Sequence, residues 1–221
     1  MHINSRLDNN VLRDILLVSL ADGIVGISYG ALAHTQGFDF WVPLSLSIFV
    51  LAGASEFLFI GVVAMGGSAI YAALAGLMVN ARHIPFSMAV KELPGKGIKS
   101  LLGFHVLNDE SVVFGLSQST AEQNRLAFWA CCGLGILLMW PLGTMLGVYL
   151  GSFIVDIKML GLDAMFPAII LALSLPALKN KLTRKAAIIG SVIALATTLF
   201  LPAGIPVLLS LLGVLFVVRK I

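Results

Sequence analysis

The sequence predicts an all-α fold, a polytopic integral membrane helical bundle of about seven or eight segments. Three observations carry that prediction. Hydrophobic residues make up 59% of the chain and charged residues 11%, with a mean hydropathy of +1.01, far from the balance of a water-soluble domain. Stretches 57–81, 126–155 and 186–218 contain no Asp, Glu, Lys or Arg, and each reaches the length of about 20 residues that a crossing needs. These runs are continuously apolar instead of alternating with period two, which argues against a closed β-barrel. A chain of 221 residues built this way has no room for a large extramembrane domain, so 1–221 reads as one transmembrane domain.

Apolar runs and breakers place segments over 11–34, 40–64, 67–90, 101–119, 127–151, 160–178, 185–200 and 204–218. The residues before the first are polar and mixed in charge, and no small-residue cleavage site follows, so no removable signal peptide is expected. Within this segment Gly26 and Gly30 permit close approach of a second helix, as do Gly143, Gly147 and Gly151 in the fifth. Trp41 and Trp129 sit near segment ends as interface anchors, whereas Trp140 falls deep. Cys131 and Cys132 are the only cysteines and adjoin each other in an apolar run, so they read as packing residues. They offer nothing on which to build a disulfide framework or a four-ligand metal site.

Lys and Arg concentrate in four places: Arg6 and Arg13; Lys91, Lys96 and Lys99; Lys179, Lys181, Arg184 and Lys185; and Arg219 with Lys220. The net charge of +3 and pI of about 9.0 thus come from segment ends, a positive-inside pattern and not a nucleic-acid footprint. It predicts all four clusters, and both termini, in the cytoplasm. Simple counting conflicts with that, because two crossings return the chain inside near Gly66 and a third would carry Lys91 outside. Segment 67–90 is therefore expected to be broken or re-entrant. Its breaking sequence is Asn80-Ala81-Arg82-His83-Ile84-Pro85, where Pro85 lacks a backbone donor and crowds the preceding turn. A comparable interruption, with Pro202, Gly204 and Pro206, divides the run 186–218, which is too long for one crossing and short for two.

The two interruptions belong to a weak internal repeat with halves 11–95 and 127–218. Gly37, Asp39 and Pro43 have the spacing of Gly161, Asp163 and Pro167, and Ile84-Pro85 matches Ile205-Pro206 at nearly the same offset. Paired breaks in two halves are the arrangement by which discontinuous helices offer backbone groups to a midplane site.

Ionisable residues at membrane depth cost at least a few kcal/mol on insertion scales and so face a partner, a cavity or water. Six qualify: Asp22, Glu56, Arg82, His83, Asp109 and Glu110. Asp22 and Glu56 could carry a proton or hold Arg82 in an ion pair. Arg82 has the planar fork that suits a carboxylate of substrate or protein, and His83 beside it titrates near neutral pH. Asn80 braces a broken backbone or touches substrate, and Ser55 flanks Glu56. On one helix His105, Asn108 and Asp109 would share a face at i, i+3 and i+4; a solvated loop is the alternative. No second His or Cys set completes a metal site. The chain also has no phosphate-binding Gly-rich lysine loop and no G-x-S-x-G nucleophile motif, so neither nucleotide hydrolysis nor an enzyme is expected, and no cofactor.

Taken together, Gly53-Ala54-Ser55-Glu56-Phe57, Asn80-Ala81-Arg82-His83, Asn108-Asp109-Glu110-Ser111, Leu160-Gly161-Leu162-Asp163 with Pro167, and Leu201-Pro202-Ala203-Gly204 resemble the AzlC family over most of the chain. The resemblance implies a bacterial inner-membrane permease subunit that exports branched-chain amino acids and their analogues with a small hydrophobic AzlD-type partner. This sequence departs from the family pattern at Glu56, where glutamine is usual, and at Asn108, where threonine is usual. An extra acid at 56 could alter substrate preference or coupling.

The expected mechanism is secondary transport by alternating access. Arg82 receives the amino acid carboxylate, Glu56 or Asp109 faces its ammonium group, and protons exchange at His83, Glu56, Asp109, Glu110 or Asp22. Asn80 and Ser55 complete the candidate binding set. A passive channel or pore subunit for small polar solutes is the alternative, because broken helices also build selectivity filters.

Overall fold

The computed structural model describes residues 7–153, 171, 175, 177–202 and 204–218, and all regular structure among them is helical. In chain order the helices are α1 (Asn9–Thr35), α2 (Trp41–Phe49), α3 (Gly53–Ala64), α4 (Ala69–Asn80), α5 (His83–Ala89), α6 (Ile98–His105), α7 (Asp109–Leu116) and α8 (Ala121–Cys131). A π-helical stretch, Cys132–Met139, joins α8 to α9 (Trp140–Gly151). A single 3₁₀ turn precedes α10 (Lys181–Thr198), followed by α11 (Ile205–Ser210) and α12 (Leu212–Val218). Segment 160–178, with Gly161, Asp163 and Pro167 of the repeat, lies almost wholly outside the described residues, as do Arg6, Arg219 and Lys220.

Two compact units make up the chain: Met1–Gly53 with Ala81–Val155, and Ala54–Asn80 with Asp156–Ile221. In the first, α1 and the continuous run Ala121–Gly151 are long and apolar enough to cross a bilayer. Asp8 caps α1, its carboxylate accepting the Asn10 N–H at 3.2 Å. The helix turns Ile15, Ser19, Gly26, Tyr29 and Gly30 inward and leaves Leu12, Leu16, Leu20 and Ile24 exposed. An outward stripe of leucine and isoleucine is a surface that lipid covers at no cost and water does not.

The two glycine ladders meet each other. A Cβ added at Gly30 would run into the Thr144 carbonyl, one at Gly143 into the Gly23 carbonyl and one at Gly147 into the Ile27 carbonyl. With no side chains between them, α1 and α9 pack backbone to backbone, which supplies dispersion where lipid supplies no hydrophobic drive. Trp140 is buried in this seam and stacks on Tyr29 with ring centroids 5.6 Å apart. Cys131 and Cys132 are buried free thiols; Cys131 packs with Ile15 and Ala127.

The expected segment 40–64 is two helices, because the chain turns at Val50–Ala52. Leu51 sits there at φ +51, a left-handed conformation that costs a branched residue about 1–2 kcal/mol. Packing holds it: Leu51 is buried, and Gly53 lies so close to the Trp140 ring that a Cβ would come 2.8 Å from its edge. No proline or charge marks this turn in the sequence.

In the second unit, Asn180 caps α10 through hydrogen bonds from the Leu182 and Thr183 N–H groups at 2.8 and 3.2 Å. Gly190 of α10 meets Ser210, and Gly213 of α12 meets the Ala186 carbonyl and Gly190, a second glycine seam. Gly204, at φ +98, starts α11 against Tyr71 of α4 and Val62 of α3.

Candidate functional site

Arg82 forms the turn between α4 and α5, where the chain passes from one unit to the other. Its Nη2 pairs with Asp109 Oδ2 at 2.9 Å, with both side chains about two-fifths exposed. Asp109 reaches this position because a new helix begins there. The Asn108 side chain accepts the Ser111 N–H at 3.0 Å, and the Ser111 hydroxyl meets the Asn108 backbone, closing a reciprocal cap on α7. Asn108 also donates from Nδ2 to Glu110 Oε2.

That cap corrects one expectation. His105, Asn108 and Asp109 do not share a helical face, because α6 ends at His105 and α7 begins at Asp109. His105 instead donates from Nε2 to the Ile48 carbonyl at 3.0 Å, tying α6 to the end of α2. An asparagine side chain competes for backbone donors in just this way and starts a helix more readily than it continues one.

His83, half-buried, opens α5 with its ring 6.1 Å from Phe86, and Arg82 and Asp109 lie within electrostatic range of it. Asp22, midway along α1, is likewise within range of Glu110. The first unit therefore gathers Asp22, Arg82, His83, Asp109 and Glu110 from α1, the α4–α5 turn, α5 and α7. Two polar atoms at the α4–α5 turn, Arg82 Nε and Asn80 Oδ1, are buried with no hydrogen-bond partner among the described residues. Arg82 thus holds one carboxylate and still has a donor to spare.

Ser55, Glu56 and Asn80 belong to the second unit. Ser55 and Glu56 are buried in the first turn of α3, with Ser55 facing Gly76 of α4. Pro85 lies in the first turn of α5, Pro206 in the first turn of α11, and Pro202 and Gly204 in the link before it. Proline in a first turn removes a donor that has no intrahelical partner anyway. The break at 81–82 lies one turn before Pro85, at the carbonyl of Ala81 that a proline at 85 has no N–H to bond.

Two features carry no strong sequence signal. One is the π-helical stretch, whose Gly135 lies against Ser19 and Asp22 of α1. The Gly133 and Gly135 pair inside an apolar helix was the one available hint. The other is a cavity of about 520 Å³ at the far end of α1, lined by His34, Phe38, Asp39, Met145 and Tyr149 among others, none of them in the charged cluster.

Two helices long and apolar enough to cross a bilayer, with leucines exposed along them, fit an integral membrane protein of the helical class. Its lineage follows from comparison with known proteins. The chain belongs to the AzlC family, whose AzlC protein domain matches residues 18–154. It is 27% identical over 201 residues to the "Branched-chain amino acid transport protein AzlC" of Bacillus subtilis (strain 168), covering 89% of this chain and 79% of that one. It is 33% identical over 174 residues to an uncharacterized membrane protein of Archaeoglobus fulgidus, covering 78% and 76%. A membrane protein of Helicobacter pylori (strain J99) is 28% identical over 175 residues, covering 77% and 75%. No solved structure matches. AzlC proteins form a transport family and not an enzyme family.

Proposed function

We propose that this chain is a secondary transporter that exports branched-chain or other small apolar amino acids across the bacterial cytoplasmic membrane, driven by an ion gradient. The observation that carries the reading is the Arg82–Asp109 pair, with its spare donor, at a break in the helical chain. An amino acid is a zwitterion. Its carboxylate can take Arg82 and its ammonium Asp109, so the internal pair is exchanged charge for charge and neither partner is left unpaired. Apolar residues around the break accept the side chain. The name of the Bacillus subtilis relative supports the substrate class.

Asn80, Ser55 and Glu56 join the substrate path on the strength of their motifs and of the burial of Ser55 and Glu56. His83, Glu56, Asp109, Glu110 and Asp22 are the proposed proton-exchanging groups. The partner is a small AzlD-type membrane subunit, and both termini are cytoplasmic, a reading that the positive-inside bias of the basic clusters supports. The chain works as one transport domain with broken helices in two repeat halves.

The test is flux in liposomes reconstituted with the purified protein and its partner, using a panel of labelled amino acids across imposed pH and sodium gradients. Saturable, gradient-driven accumulation with counterflow of leucine, isoleucine or valine supports the reading. Unsaturable downhill leakage alone would establish a channel instead.

A further inference from the structure

A polar niche between α1 and the π-helical stretch has a different composition from the ion pair. Gly135 is buried there, and a Cβ placed on it would lie 3.2 Å from Asp22 Oδ2 and 3.2 Å from Ser19 Oγ. Both oxygens converge on the position that a side chain at 135 would take, from residues three apart on one face of α1. Ser19 is fully buried and gives its single hydroxyl proton to the Ile15 carbonyl at 2.7 Å. Towards the niche it has only lone pairs to offer. Asp22 Oδ2 is buried and receives no hydrogen bond from any described residue. As a carboxylate oxygen it, too, could only accept. Two acceptors facing one buried space at membrane depth are unfavourable unless a cation joins them. Among the described residues, the ionisable groups within electrostatic range of Asp22 are Glu110 of α7 and Cys131 of α8. Both are acids, so neither supplies the missing positive charge. A π-helical widening at this point is itself a frequent mark of a functional position.

We infer that the niche is a cation site and that its occupant is a proton: Asp22 is protonated, and a rotation of its side chain brings the O–H to Ser19 Oγ, with which Oδ2 makes no hydrogen bond in the arrangement described above. One O–H bond breaks when the proton leaves and re-forms when another arrives, and no other bond changes. The assignment of this proton as the coupling ion rests on the transport reading above; the site itself does not.

Infrared difference spectroscopy of the full-length protein in lipid, taken between acidic and alkaline pH, tests the site without any transport measurement. The expected result is a protonated-carboxyl band that titrates in the wild type, is lost in Asp22→Asn, and shifts in Ser19→Ala because its acceptor is gone. Asparagine keeps the shape of Asp22 and can donate to Ser19. Should that variant fail to fold, the shift in Ser19→Ala carries the test alone. A band unchanged in both variants overturns the proposal. Loss of the band on adding sodium at constant pH would assign the niche to sodium and overturn the proton. A titrating band in a protein without amino acid flux would sink the transport reading and leave the site standing, whereas proton-driven flux without the band would do the reverse.

Discussion

The breaks at 81–82 and at 199–204 interrupt helical chain with opposite chemistry. The first is charged: Arg82 is held by Asp109, His83 follows, and an arginine donor and an asparagine acceptor lie buried without hydrogen-bond partners among the described residues. The second has no ionisable side chain between Thr198 and Ser210. It is held by conformation, with Gly204 at φ +98 seated on Tyr71 and Val62 and Pro206 in the first turn of α11. A break built from charges can exchange its partner for a charged ligand, because the alternative pairing is nearly as favourable. One built from glycine's conformational freedom and from contact has no partner to exchange. The first is therefore where ligand binding should be felt, and the second where only stability should be.

Substitutions can break that contrast, and the largest effect is expected at Arg82. Arg82→Ala should abolish amino acid flux in reconstituted liposomes while the protein still inserts and purifies as a monodisperse species; a folded variant that transports normally removes Arg82 from the site. Asp109→Asn should also abolish concentrative flux, since a neutral amide cannot pair with the substrate ammonium, read in the same liposomes. At the second break, Gly204→Ala should leave substrate affinity unchanged but destabilise the protein by about 1–2 kcal/mol, because an L-residue is strained at φ +98 and its Cβ would meet Tyr71 Cβ at 2.8 Å. A lowered melting temperature with unaltered KM checks it. Asn108→Ala removes the cap that starts α7 and should cost about 1 kcal/mol, visible as a smaller drop in melting temperature. Smallest of all, Pro85→Ala and Pro206→Ala should each change stability by no more than about 0.5 kcal/mol, since both prolines occupy first turns. A large loss in either would show that the prolines themselves make the breaks.

Some of this was legible in the residues alone. Hydropathy marked α1 and the run through α8 and α9, because a bilayer imposes length and composition directly on each segment. The glycine ladders were readable as contact surfaces, since glycine spacing on a helix is local information, though which ladder meets which was not. The break near Asn80 was marked by costly residues. The turn at Leu51 carried no such signal, because burial and the Trp140 ring hold it, not any breaker in the chain. The shared face assigned to His105, Asn108 and Asp109 failed for a local reason: the cap formed by Asn108 outweighed continuation of the helix.

The sequence by itself determined the solvent of this protein and the family it belongs to, because both are written in residue types and their order along the chain. Only the tertiary structure decided which charges face which. Arg82 and Asp109 stand 27 positions apart, and Ser19, Asp22 and Gly135 come from distant segments, so their meeting depends on helix packing. That packing is governed by backbone contacts between glycines, whose partners no local pattern specifies.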